Sequence, residues 1–258
     1  MSSFPGSMAS VAEKTGPSAV SPHLPYRPGM DVIFIEDGWD FIRNKALEGL
    51  LSHLNTITTP SLTPMKLVEN KFTSVENMSY VYSVVFQLCV QSKPYCFADE
   101  LHSLVRDFIT SYYMQVSRGL QSLKESDNDE FLQSFLVIWT RSMVFRSHML
   151  NIFSYLDRYH ARRERLAPIS ALLAELFERI VFNPCFNAFA RATADGGDQH
   201  RTGTGTDASA AQVQTAVLAF VALDPRALRP YRERLERVLI ERARTYYVSL
   251  ASECAALP

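Results

Sequence analysis

The chain has 258 residues, 47% of them hydrophobic and 21% charged, with a formal net charge of −1. A chain of this length buries about 70–75% of its unfolded surface, so a full core forms without staples, and the balanced composition argues against a disordered, collagenous or nucleic-acid-coating protein. The four cysteines (Cys89, Cys96, Cys185, Cys254) stand far apart behind no signal-peptide pattern, which argues against a disulfide framework and for a cytoplasmic or nuclear protein with reduced thiols.

Residues 1–31 hold Pro5, Pro17, Pro22, Pro25 and Pro28 among serines and glycines, a composition that predicts a disordered tail. Beyond it, apolar residues recur at spacings of three and four, and the chain reads as all-α. Trp39, Ile42, Ala46 and Leu50 stripe a first helix, followed by a weak break over 56–64. Met78, Tyr82 and Phe86, with Val81, Val85 and Cys89, mark a second helix that stops near Pro94. A long third helix runs from Phe97 to Leu123, and Asp127 with Glu130 forms a capping box for a fourth, whose face holds Phe131, Phe135, Ile138 and Trp139. Met149, Ile152, Phe153 and Leu156 belong to a fifth helix that ends in the arginines of 162–165. Pro168 opens the sixth, which Pro184 ends or kinks. Residues 194–208, rich in glycine and threonine, read as a flexible loop. A short helix around Val217 and a long one from near Pro230 to the C-terminus complete a count of eight.

Signatures of chemistry are sparse. No two histidines stand at i and i+4, and no HExxH, CxxC or GxxxxGK[ST] run occurs, so metal, phosphate and cofactor sites lack their usual patterns and no nucleophile is assigned. Cys96 and His102 could suggest a thiol–imidazole pair, but a small buried thiol beside an exposed histidine is much the better account of them. Arg158, Arg162, Arg163 and Arg165 read first as a solvated helix end. The stripe Met78, Tyr82, Phe86 fits either a core face or a binding row.

The run 131–163, in which a tryptophan helix leads into one ending Tyr155-Leu156-Asp157-Arg158, resembles the N-terminal region of cullins. So do Trp39–Leu50, Met78–Cys89 and Tyr231–Leu257, in family order and spacing, and the resemblance covers about 220 residues. It implies stacked helical bundles: a five-helix first repeat over 32–163, and a partial second repeat over 164–258 with a flexible insertion at 194–208. The third repeat and the C-terminal region that grips the RING subunit have no counterpart in this sequence, so a RING partner is implied only where such a region is supplied.

By the same resemblance the protein is a non-catalytic scaffold arm of a ubiquitin ligase. A BTB/POZ-fold substrate adaptor docks on the second and fifth helices of the first repeat, at Met78, Tyr82, Phe86, Tyr159 and His160, the last standing where the family usually has a larger aromatic. Nucleic acid, membrane and cofactor are not implied. A helical-repeat tether unrelated to ubiquitin transfer is the alternative.

Overall fold

The computed structural model describes residues 32–61, 72–124, 127–204, 207–223 and 231–255. The expected tail, 1–31, lies outside them. Among the described residues there is no strand, and eight helical runs follow one another: α1 (35–56), α2 (75–90), α3 (98–121), α4 (128–152), α5 (154–163), α6 (169–201), α7 (207–223) and α8 (231–255). Each of α1, α5, α6 and α8 contains a π-helical turn.

Apolar spacing explains the packing. Ile42, Ala46 and Leu50 of α1, Val81, Val85 and Leu88 of α2 and Leu101, Val105 and Ile109 of α3 are buried in one continuous core. α4 threads the middle, with Phe131, Phe135, Phe145 and Met149 buried. α6 packs against both α3 and α4, and α7 and α8 pack on α6. The core therefore passes without interruption from the first five helices into the last three.

Several boundaries differ from those expected. Met149 and Ile152 belong to α4, which runs to Ile152, and α5 starts only after the bend at Phe153. Asp127 occupies the N-cap of α4, but its side chain makes no cap hydrogen bond, so the expected capping box is absent. Pro184 does not end α6. The turn Phe177–Phe182 before it is π-helical, which absorbs the ring, and the Ile180 carbonyl, four residues back and deprived of a proline N–H, accepts from Ser117 Oγ at 2.7 Å.

The largest correction concerns 194–208. α6 continues through this stretch to Arg201. Ala188, Ala192 and Gly196, spaced by four, are buried together with Phe189 and Thr193, so the small residues serve as a close-packing face. Asp195 and Asp198 on the same turns pair with Arg242 of α8. The helix stops where Gly203, at φ +72°, adopts the left-handed conformation. Thr204 N then donates to Gln199 O and Gly203 N to His200 O, the paired bonds of a Schellman end.

Candidate functional site

α2 is amphipathic in two directions. Ser74 caps it, its Oγ accepting from Asn77 N at 3.1 Å. Val81, Val84, Val85 and Leu88 face the core, while Val75, Tyr82, Phe86 and Val90 remain exposed on the opposite side. At its C-terminal end the Gln91 side chain bonds both Ile33 N and Ile33 O, at 2.7 and 2.9 Å, and also Tyr95 O. These bonds clamp the end of α2 to the segment entering α1.

α5 lies alongside α2 and supplies the rest of the surface. Phe86 meets Tyr155 edge-on with ring centroids 4.8 Å apart, and Tyr155 lies against Tyr159 at 4.7 Å. Tyr82, Phe86 and Tyr159 are 45%, 40% and 62% exposed, so three aromatic side chains reach solvent on one surface. The Tyr155 phenol is pushed up, first by burial, then by Cys89, Tyr159 and Tyr82, so it stays a neutral hydrogen-bonding group under ordinary conditions.

Of the five residues expected at the site, Tyr82, Phe86 and Tyr159 stand exposed and Met78 is half-buried in the same row. His160 does not join them. It is only 5% exposed, and its Nε2 lies 2.8 Å from Asp99 Oδ1 at the start of α3, so it ties α5 to α3. Tyr155 takes the central place, and sequence reasoning missed it as a surface residue. The signal was its spacing of four from Tyr159.

The tetrapeptide 155–158 has a division of labour. Tyr155 joins the aromatic cluster, Leu156 enters the core and Arg158 meets solvent. Asp157 Oδ1 accepts from Ile169 N at 2.5 Å, capping the first turn of α6 and fixing the angle between α5 and α6. α5 closes with Leu166 N donating to Ala161 O and Arg165 at φ 56°, and the arginines there are exposed as a solvated helix end.

The candidate thiol–imidazole pair does not assemble. Cys96 Sγ donates to Cys89 O, whereas His102 is buried, with its Nε2 3.0 Å from Ala167 O. Burial pushes the Cys89 thiol up to about 12, the opposite of an activated nucleophile. Among the described residues no cluster of three His, Cys, Asp or Glu side chains could hold a metal, and no helix is long and apolar enough to cross a membrane.

Against known proteins, the family model described as the cullin alpha solenoid domain matches residues 62–257. Cullin-1 of Oryza sativa subsp. japonica is 24% identical over 209 residues, 81% of this chain and 26% of that protein. Cullin-2 of Arabidopsis thaliana is 23% identical over 184 residues, 71% of this chain and 24% of that protein. Cell division control protein 53 of Saccharomyces cerevisiae is 20% identical over 167 residues, covering 60% and 19% of the two chains. The chain thus spans about a quarter of the length of the first two of these relatives.

Proposed function

The chain belongs to the cullin family, and from that membership we propose that it is a non-catalytic scaffold arm of a cullin-type ubiquitin ligase, acting in the cytoplasm or nucleus. Its first repeat is residues 32–163 and its second, partial in this chain, is 164–258. A BTB/POZ-fold substrate adaptor docks on α2 and α5 through Met78, Tyr82, Phe86, Tyr155 and Tyr159. The single observation that carries this reading is the aromatic cluster: Phe86, Tyr155 and Tyr159 in contact across two helices, with Tyr82 exposed beside them. Aromatic side chains held in place before binding lose little conformational entropy when a partner covers them, so such clusters carry binding energy out of proportion to their area. Beneath the cluster, Gln91 ties the end of α2 to the segment entering α1, and Asp157 ties α5 to the first turn of α6.

Affinity purification of the tagged chain tests the reading. BTB/POZ-fold adaptors co-purify if it is right, and a Phe86→Ala, Tyr159→Ala double variant loses them. Recovery of membrane-tethering or vesicle-coat components with no such adaptor favours the tether instead.

A further inference from the structure

A second surface is built from residues outside the aromatic cluster. Between the first turns of α1 and the first half of α3 runs a groove of about 650 Å³. Ile35, Trp39 and Leu104 supply its apolar lining, and Glu36, Asp40, Asp99, Glu100 and Asp107 bring five carboxylates to it. Among the described residues no lysine or arginine pairs with Glu36, Asp40, Glu100 or Asp107. Asp99 alone is engaged, with His160, and Arg43, the next basic residue along α1, is turned to Glu48 at 3.6 Å.

Helix dipoles account for only part of this charge. Glu36, Asp99 and Glu100 lie in first turns, where a carboxylate is stabilised by the free N–H groups, but that effect fades within one turn. Asp40 stands in the second turn of α1 and Asp107 in the third of α3, beyond its reach. Carboxylates brought together without cations repel one another, and the concave, partly apolar surface strengthens their combined field. Such a field rejects nucleic acid and anionic lipid. It attracts cations, and the indole of Trp39 at the same groove offers a face to a guanidinium or a wall to an aliphatic side chain.

We propose that the α1–α3 groove docks a basic peptide segment of a partner protein, one that sets an apolar side chain against Trp39 and Leu104 and arginine or lysine heads among Glu36, Asp40, Glu100 and Asp107. None of the groove's residues belongs to the α2–α5 row, so the two surfaces are separable. His160, next to Tyr159 on α5, lies 2.8 Å from Asp99 of the groove, so the two surfaces adjoin there, and the variants below leave both of these residues unchanged.

The test is fluorescence polarisation with three labelled nine-residue peptides, alternating arginine–leucine, arginine–serine and glutamate–leucine, on the full chain at low and high salt. The arginine–leucine peptide binds, at least ~10-fold more tightly than either of the others, and weakens as salt is raised. Neutralising Glu36→Gln, Asp40→Asn and Glu100→Gln together lowers its affinity at least ~10-fold, the sum expected of a few exposed ion pairs. Ser103→Trp, which fills the groove and keeps every charge, lowers it similarly while the melting temperature holds. Equal binding of the arginine–serine peptide, no effect of either variant, or no binding at all overturns the proposal. Adaptor capture measured on the same variants stays at the wild-type level, so a failure here is distinct from a failure of the α2–α5 reading.

Discussion

Replacing Trp139 by alanine tests the join between the first five helices and the last three. Trp139 is 8% exposed on α4 and meets Phe177 of α6 edge-on at 5.6 Å. Truncation removes the indole from the surface where the two groups of helices share their core. Large-to-small changes at buried aromatics cost about 3–5 kcal/mol. For a chain of this size each kcal/mol lowers the melting point by about 2–4 °C, so the expected fall is about 6–20 °C. Trp139→Phe keeps a ring against Phe177 and should fall by less than half as much. Thermal unfolding followed by far-ultraviolet circular dichroism reads both. A shift below about 2 °C for the alanine variant would show that α6 does not depend on this contact and would refute the continuous core.

Three further outcomes follow from single contacts. Burial, reinforced by His53, holds the His148 imidazole down to about 4 from its ordinary 6.5. The unfolded chain therefore takes up this proton first, so the associated stability, up to about 3 kcal/mol, is complete above the unfolded value and is lost as pH falls from 6.5 towards 4. His148→Phe, placed against Phe72, which now meets the imidazole at 4.6 Å, should flatten that part of the stability–pH curve; a parallel decline in both proteins would assign the acid sensitivity elsewhere. Ser117→Ala leaves the Ile180 carbonyl without its 2.7 Å donor and should cost about 1–2 kcal/mol in chemical denaturation, whereas no loss would mean that Pro184 is accommodated without it. In thiol titration of the native protein, exposed Cys254 should react first and buried Cys89 and Cys185 only on unfolding; early labelling of Cys89 would contradict its burial.

The helical character of the chain was legible because burial repeats every three to four residues, as in Ile42, Ala46 and Leu50. The exposed aromatic row of α2 was legible in part, since Tyr82 and Phe86 stand four apart with valines between them. What escaped has a common cause. Small residues carry no hydrophobic signal, so Ala188, Ala192 and Gly196 gave no sign that 194–201 packs as helix, and the real stop was Gly203 in its left-handed conformation. The orientation of His160 was hidden because its partner, Asp99, lies 61 residues away in sequence. Tyr155 was read only as one letter of a tetrapeptide, although a ring contact with Phe86 across two helices gives it its place.

The account turns on whether the α2–α5 aromatics are a contact surface or merely outer core, and the Tyr82→Ala variant separates the two when melting temperature and the dissociation constant for a BTB/POZ-fold adaptor are measured on the same preparation. Tyr82 is 45% exposed, so its removal should shift the melting point by less than about 2 °C. As a binding anchor it should contribute about 2 kcal/mol, a loss of about 30-fold in affinity. A folded protein with that weakened adaptor binding is the predicted result; a destabilised protein, or a folded one that binds as tightly as before, would contradict it.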